Sequence, residues 1–385
     1  MLPTDFARHN EEVQQVWEAY RAGRPRRVPM LLSANTRVWL LDPALNREGL
    51  TWKIFVSDPE VMFATQLKFR YYLAHHILQD AEMGLPELGW QVFVEFHNVV
   101  EEAWLGSPVI YPEHQVSASL PAYPGERKWA IFEGGMPGPF DGIYGQMLSF
   151  YEAFQEKART AEYFGRPVSV LPPGALGTDG PLTIANGVRG PEILEDMLND
   201  EEYYHRLMDF ITEAIIRRIH AWRRYLNVDP RPQHGYFADD AIQFLSVSTY
   251  REKVLPYHRR ILSELYGTGP HGLHLCGNVQ RHLPVIASEL NVRSFDTGYP
   301  IRWETLRGEV SEEVEIMGGV TVMDLLGCSP VEIQEKTRGI LESGIMQGGK
   351  FIMKEANNLA PRTPLENITA MYAAVKQWGV FPLRS

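Results

Sequence analysis

"HGLHLCGNVQRHLPVIASELNVRSFDTG", residues 271–298, holds two short mixed runs of strand length, HGLHLCG and RSFDTG. Between them Val279, Leu283, Ile286 and Leu290 recur at steps of three and four, which places them on one face of a helix. Strand, helix and strand in that order imply parallel pairing through a helical crossover. The alternation extends outward through HGYFADDA (234–241), EIMGGV (315–320) and KFIMKEANN (350–358). Tyr250, Val254, Tyr257, Ile261 and Leu265 repeat the helical step, with Thr249 and Glu252 read as a capping box and Pro256 as a kink. Two later helix starts have the same form: Ser329, Pro330 and Glu332, then Thr363, Pro364 and Glu366, with Gly379 as a C-cap.

The N-terminal half predicts helices near 8–22, 58–82, 145–164 and 191–227 and strands near 27–33, 90–97 and 167–172. Residues 105–145, rich in Gly, Pro and aromatics, read as a long ordered loop over one face. No repeat or flexible linker divides the 385 residues, and eight strand–helix units closing into a single (β/α)8 TIM barrel fit the length. The expected organisation is therefore one barrel domain over 1–385 with an N-terminal helical extension over 1–26. An open doubly wound sheet is the other arrangement, but no G-x-G-x-x-G follows a strand.

A formal charge of −11 argues against a nucleic-acid or anionic-membrane partner, whose phosphates need a basic face. Two cysteines make no disulfide framework, and an unpaired thiol belongs in a reducing interior. The first thirty residues hold no apolar core of secretory type, and no uncharged apolar run reaches membrane-spanning length. The expectation is a soluble, cytoplasmic protein.

In such a barrel the chemistry sits where strands end and the following loops begin. The unusual polar residues of this chain fall there: Asp239 and Asp240 in FADD, His274 and Cys276 in HLCG, Asp296 in FDTG, and Glu355, Asn357 and Asn358 in MKEANN. His97 in VEFHN, Asn35 and Arg37 in LLSANTR, and Tyr236 in HGYF complete the expected lining of the mouth. One residue apart, His274 and Cys276 face the same side of a strand. With a carboxylate from a neighbouring strand they suit a catalytic zinc, although the same pair also suits a histidine packed beside a buried thiol. Glu355 at a strand end needs a cation or donors if buried. Cys328, in GCSP, reads as a small residue at a helix start.

FADDAIQF, HLCGN, MGGV, GCSPVEI and the stretch from FIMKEANN to KQWG resemble the uroporphyrinogen decarboxylase superfamily. So do EEVQQVWEAYRAGRPRRVPML (11–31) and GTDGPLTIANGVRG (177–190). The resemblance implies a (β/α)8 barrel and one of two chemistries. The decarboxylases carry an arginine-rich loop after the first strand to hold an acidic porphyrinogen; here LLSANTR retains only Arg37. The other branch contains zinc-dependent methyltransferases that serve corrinoid proteins, marked by H-x-C and a further cysteine at the end of the last strand. His274 and Cys276 match the first part, but Asn357 stands in register with the missing cysteine. The resemblance then implies zinc held by His274, Cys276 and Glu355, with Asp239, Asn357 and Cys328 as other third ligands. Asp239, Glu355 and Asn357 are the expected catalytic residues, and Asn35, Arg37, His97, Tyr236, Asp240 and Asp296 the expected substrate contacts. The implied reaction moves a methyl group from a small methylated compound, a methoxylated aromatic by expectation, to the cobalt of a partner corrinoid protein. A methylcorrinoid:thiol methyltransferase, a decarboxylase-like enzyme and a metal-free binding module are the alternatives.

Overall fold

The computed structural model describes residues 5–381, so the first four residues of the expected N-terminal extension lie outside it. In chain order the strands are β1 (Trp90–Val92), β2 (Val109–Ile110), β3 (Ala118–Ser119), β4 (Glu162–Tyr163), β5 (Arg166–Val170), β6 (Tyr236–Ala238), β7 (His271–Leu275), β8 (Val292–Thr297), β9 (Glu315–Gly318) and β10 (Phe351–Met353). β6 to β10 form one parallel sheet in sequence order, each strand returning through helices as the C-terminal pattern predicts. β1 pairs with β5 in parallel, while β4–β5 and β2–β3 are antiparallel.

The register places Ala238, His274, Asp296, Met317 and Ile352 in one row across the five strands. Paired residues of parallel strands point to the same side, so the row sets which side chains share a face. Along β7, His271, Leu273 and Leu275 are buried in the apolar core, leaving Gly272 and His274 on the opposite face. That core is continuous from Val28 to Val375.

The backbone ladders do not close into the expected ring among the described residues. The segments flanking the two parallel arcs approach only through isolated parallel bridges, Met30 with Met353 and Asp179 with Ala238. The first segment, 27–33, expected as a strand, forms only isolated bridges, and side chains have taken a strand's place on its outer edge. The Met30 N–H donates to Asp80 Oδ2 and the Leu32 N–H to Gln79 Oε1, both at 2.7 Å.

Most helix starts follow local chemistry. Ser329 and Glu332 form the predicted capping box, and Gly379 caps the helix Leu365–Trp378. Pro256 does more than kink its helix: the chain breaks into Val247–Lys253 and Leu255–Leu265. The cap of the first is Ser246, not Thr249, because the Ser246 hydroxyl accepts from the Thr249 N–H. Thr363 also caps nothing; its hydroxyl donates to the Ala360 carbonyl at 2.8 Å. The long helix expected over 191–227 divides at Asp200, whose carboxylate caps Glu201–Tyr225 by accepting from the Tyr203 N–H. No helix is long and apolar enough to cross a membrane among the described residues.

Candidate metal centre and its surroundings

β7 ends at Leu275, and the alternation that buries Leu273 and Leu275 turns His274 and Cys276 together toward the opposite face. His274 Nε2 lies 2.9 Å from Cys276 Sγ. Asp240, two residues past the end of β6, accepts the Cys276 N–H on Oδ1 at 2.6 Å. One ligand atom from each of Asp240, His274 and Cys276 lies within 4.8 Å of the other two. An oxygen, a nitrogen and a sulfur donor together suit zinc, and three protein ligands leave a fourth position for substrate.

The outer partners orient this group. His274 Nδ1 faces Asp296 Oδ2 at 2.9 Å, which directs Nε2 toward Cys276. The other oxygen of Asp296 lies 2.7 Å from Lys354 Nζ as an ion pair. Burial pulls the His274 pKa down, but the hydrogen bond and charge of Asp296 outweigh it and hold the imidazole above its ordinary value. Burial, then the charges of Asp240 and Asp296, push the Cys276 thiol up. Asp240 is raised by burial in spite of the Cys276 N–H. Asp296 is lowered because His274 and Lys354 overcome its burial.

The expected ligand Glu355 is not in the group. It is fully buried, and both its oxygens accept from the Ser33 N–H, at 3.2 and 3.1 Å. Burial raises its pKa to about 8. Asp240, read from sequence as a substrate contact, lies in the group with His274 and Cys276. Asp239, an expected catalytic residue, is fully buried with its carboxylate committed elsewhere. It accepts from Leu182 N, Thr183 N and Thr183 Oγ1 and contacts His258 Nε2 at 2.8 Å. Asn357 leaves the strand path with φ 109°, its side chain accepting from Asn358. Cys328 lies 3.6 Å from Asp324, also outside the group.

Asn35 and His97 line a cavity of about 300 Å³ together with Phe93, Phe96, Tyr144 and Asp179. His97 sits at φ 65° with its ring edge-on to Trp52, and burial followed by the Arg37 charge lowers its pKa to about 4. Arg37 does not line the cavity; it donates to the Asn358 carbonyl at 3.1 Å. Asp179 bridges Ala238, which pairs with His274, so the cavity wall begins two strands from the candidate ligands. Tyr236 shares the face of Ala238 and is half exposed.

Sequence reasoning passed over Lys354 and Asp179. Lys354 stands in MKEANN and Asp179 in GTDGPLT, and neither spacing nor residue type distinguishes them.

Residues 176–378 match the family model described as uroporphyrinogen decarboxylase (URO-D). A methylated-thiol–coenzyme M methyltransferase of Methanosarcina mazei is 30% identical over 203 residues, 51% of this chain and 51% of that protein. A uroporphyrinogen decarboxylase of Sorangium cellulosum is 27% identical over 178 residues, 46% of this chain and 48% of that protein. The chain thus spans about half the length of the curated relatives it matches. A solved methyltransferase structure from Methanosarcina mazei covers 95% of this chain and 98% of its own, with a TM-score of 0.64 at 18% identity, a likeness of fold. With more than half its length matched by the family model, the chain belongs to the uroporphyrinogen decarboxylase family.

Proposed function

We propose that this protein is a zinc-dependent methyltransferase moving a methyl group from a small methylated compound to the cobalt of a corrinoid protein. The observation that carries the reading is the convergence of Asp240, His274 and Cys276 at the ends of adjacent strands. The proposed architecture is a single (β/α)8 barrel domain, with the two parallel arcs and their bridging segments as its wall. A cytoplasmic location fits the unpaired thiols.

Zinc bound there would supply a Lewis acid at the departing heteroatom of the methyl donor. The chain's own residues prepare the position. Asp296 holds His274 so that Nε2 faces the site, and the Cys276 amide fixes one oxygen of Asp240. In the neighbouring cavity Phe93, Phe96 and Tyr144 supply aromatic lining for the donor, and Asn35 and His97 supply polar atoms for orientation. An aromatic wall supports a methoxylated aromatic donor. The methylated-thiol relative favours a second reading, transfer involving a sulfur-bound methyl group. A carboxylate in place of a third thiolate makes the site less electron-rich, which supports the ether over the thiol.

The test has two parts. Purified protein should hold about one zinc per chain, lost in Cys276→Ser. Reduced corrinoid protein should then show the spectral change of methylation with methoxyarenes. Methylation from methylated thiols alone would favour the second reading, and a zinc-free wild-type protein would remove both.

A further inference from the structure

Lys354, immediately beyond β10, is 3% exposed, and a buried ammonium is costly unless oxygens surround it. Its Nζ lies 2.7 Å from Asp296 Oδ1, donates to Ser33 Oγ at 2.8 Å and stands 3.9 Å from Glu355 Oε1. Asp296 divides its carboxylate between two partners: Oδ1 faces Lys354 and Oδ2 faces His274 Nδ1. Three separate parts of the chain therefore meet at the back of the imidazole: β8 with Asp296, the strand end with Lys354, and the segment carrying Ser33.

A carboxylate fixed at one oxygen only can turn about its last side-chain bond. Hydrogen-bonded at Oδ2 and drawn at Oδ1 by the charge of Lys354, an ion pair without a hydrogen bond, Asp296 keeps its plane and with it the direction of the imidazole. We infer that Lys354 is a positioning residue for the metal centre, acting through Asp296 to fix the orientation of His274. The inference rests on the reading of His274 as a ligand.

Two physical effects of Lys354 on a bound cation have opposite signs, which makes the role measurable. As a nearby positive charge it repels the metal, so its removal would tighten binding. As the anchor of Asp296 it pre-orients a ligand, so its removal would weaken binding. Loss of an outer-shell partner of this kind lowers metal affinity about 10–100-fold.

Zinc affinity measured by chelator competition on wild type, Lys354→Met, Lys354→Arg, Asp296→Asn and the double variant Lys354→Met/Asp296→Asn decides between them. Lys354→Met should weaken zinc by roughly 10–100-fold and alter the visible spectrum of the cobalt(II)-substituted protein, with Lys354→Arg recovering most of the affinity. In the Asp296→Asn background, Lys354→Met should add no further loss. Unchanged or tighter zinc binding in Lys354→Met overturns the inference, as does an undiminished loss in the Asp296→Asn background. Should Lys354→Met fail to fold by thermal melting, Asp296→Asn alone carries the test, and wild-type affinity there overturns the relay. A wild-type protein whose zinc is absent or insensitive to Cys276→Ser removes the ligand reading itself; zinc lost in Cys276→Ser but indifferent to Lys354 removes only the relay.

Discussion

His274 Nδ1 faces Asp296 Oδ2 at 2.9 Å, and this contact leaves Nε2 as the ring nitrogen turned toward Cys276. A histidine whose one nitrogen is held by a carboxylate presents the other to a metal in a defined direction. The arrangement fits a ligand histidine, a point on which the spacing H-x-C alone is silent.

The ligand set makes the first prediction. Cys276→Ser should lower zinc affinity by more than the roughly 10–100-fold seen for outer-shell losses, and Asp240→Asn by about 10-fold or more because a neutral amide is a poorer donor. Glu355→Gln should retain about one zinc per chain, since its oxygens face Ser33 and not the cluster. Zinc analysis of the three variants checks this. Loss of zinc in Glu355→Gln with retention in Asp240→Asn would restore the ligand set expected from sequence.

Zinc binding should also depend on pH with a defined sign. Burial and the neighbouring carboxylates raise the Cys276 thiol, so near neutrality the metal must displace its proton. Affinity should rise roughly tenfold per pH unit while one proton is released. At lower pH the slope should steepen, because Asp296 holds His274 protonated above its ordinary range and a second proton must leave. Chelator competition across a pH series reads the proton count directly, and a flat profile would exclude thiolate ligation.

Glu355 gives a stability prediction. Its proton is retained to about pH 8 in the folded protein, against an ordinary 4.5 when exposed. The stabilisation is fully present below 4.5 and declines as pH rises toward 8, because the unfolded chain releases the proton first. The slope from this group is about 1.4 kcal/mol per pH unit. Urea unfolding of Glu355→Gln at several pH values should show that slope removed, and a wild-type slope in the variant would contradict it.

The C-terminal fold was legible because β7, β8 and their crossover carry both periods, two along HGLHL and three to four from Val279 to Leu290. The first segment was less so. Gln79 and Asp80 satisfy backbone groups that a strand would otherwise bind, and no local pattern announces a side chain in that role. At the site, alternation correctly paired His274 with Cys276 because the period persists to the end of β7. Carried past Met353, the same rule placed Glu355 and Asn357 on the working face. There the strand has ended, Asn357 has turned to φ 109°, and Lys354 is the residue that meets Asp296. Alternation is equally silent on Asp239 and Asp240: β6 stops at Ala238 and a 3-10 turn begins at Asp240, so Asp239 faces the helix Pro181–Arg189 while Asp240 faces Cys276.

The contacts of Asp239 are those of a residue that caps a helix, and its replacement tests that role. The helix Pro181–Arg189 begins with Gly180, which has no side chain to cap it. Asp239 reaches across from the end of β6 and accepts from Leu182 N and Thr183 N in its place. A Cβ on Gly180 would collide with that carboxylate, so the close approach requires glycine there. Asn keeps one acceptor oxygen for Thr183 but sets an NH2 donor against the Leu182 N–H and His258 Nε2 and removes a charge at a helix N-terminus, which together cost roughly 2–4 kcal/mol. Asp239→Asn should therefore lower unfolding free energy by about that amount while the folded protein keeps its zinc stoichiometry. Chemical denaturation and metal analysis on one preparation check both halves. Wild-type stability combined with abolished methyl transfer would return Asp239 to the catalytic role expected from its position after a strand.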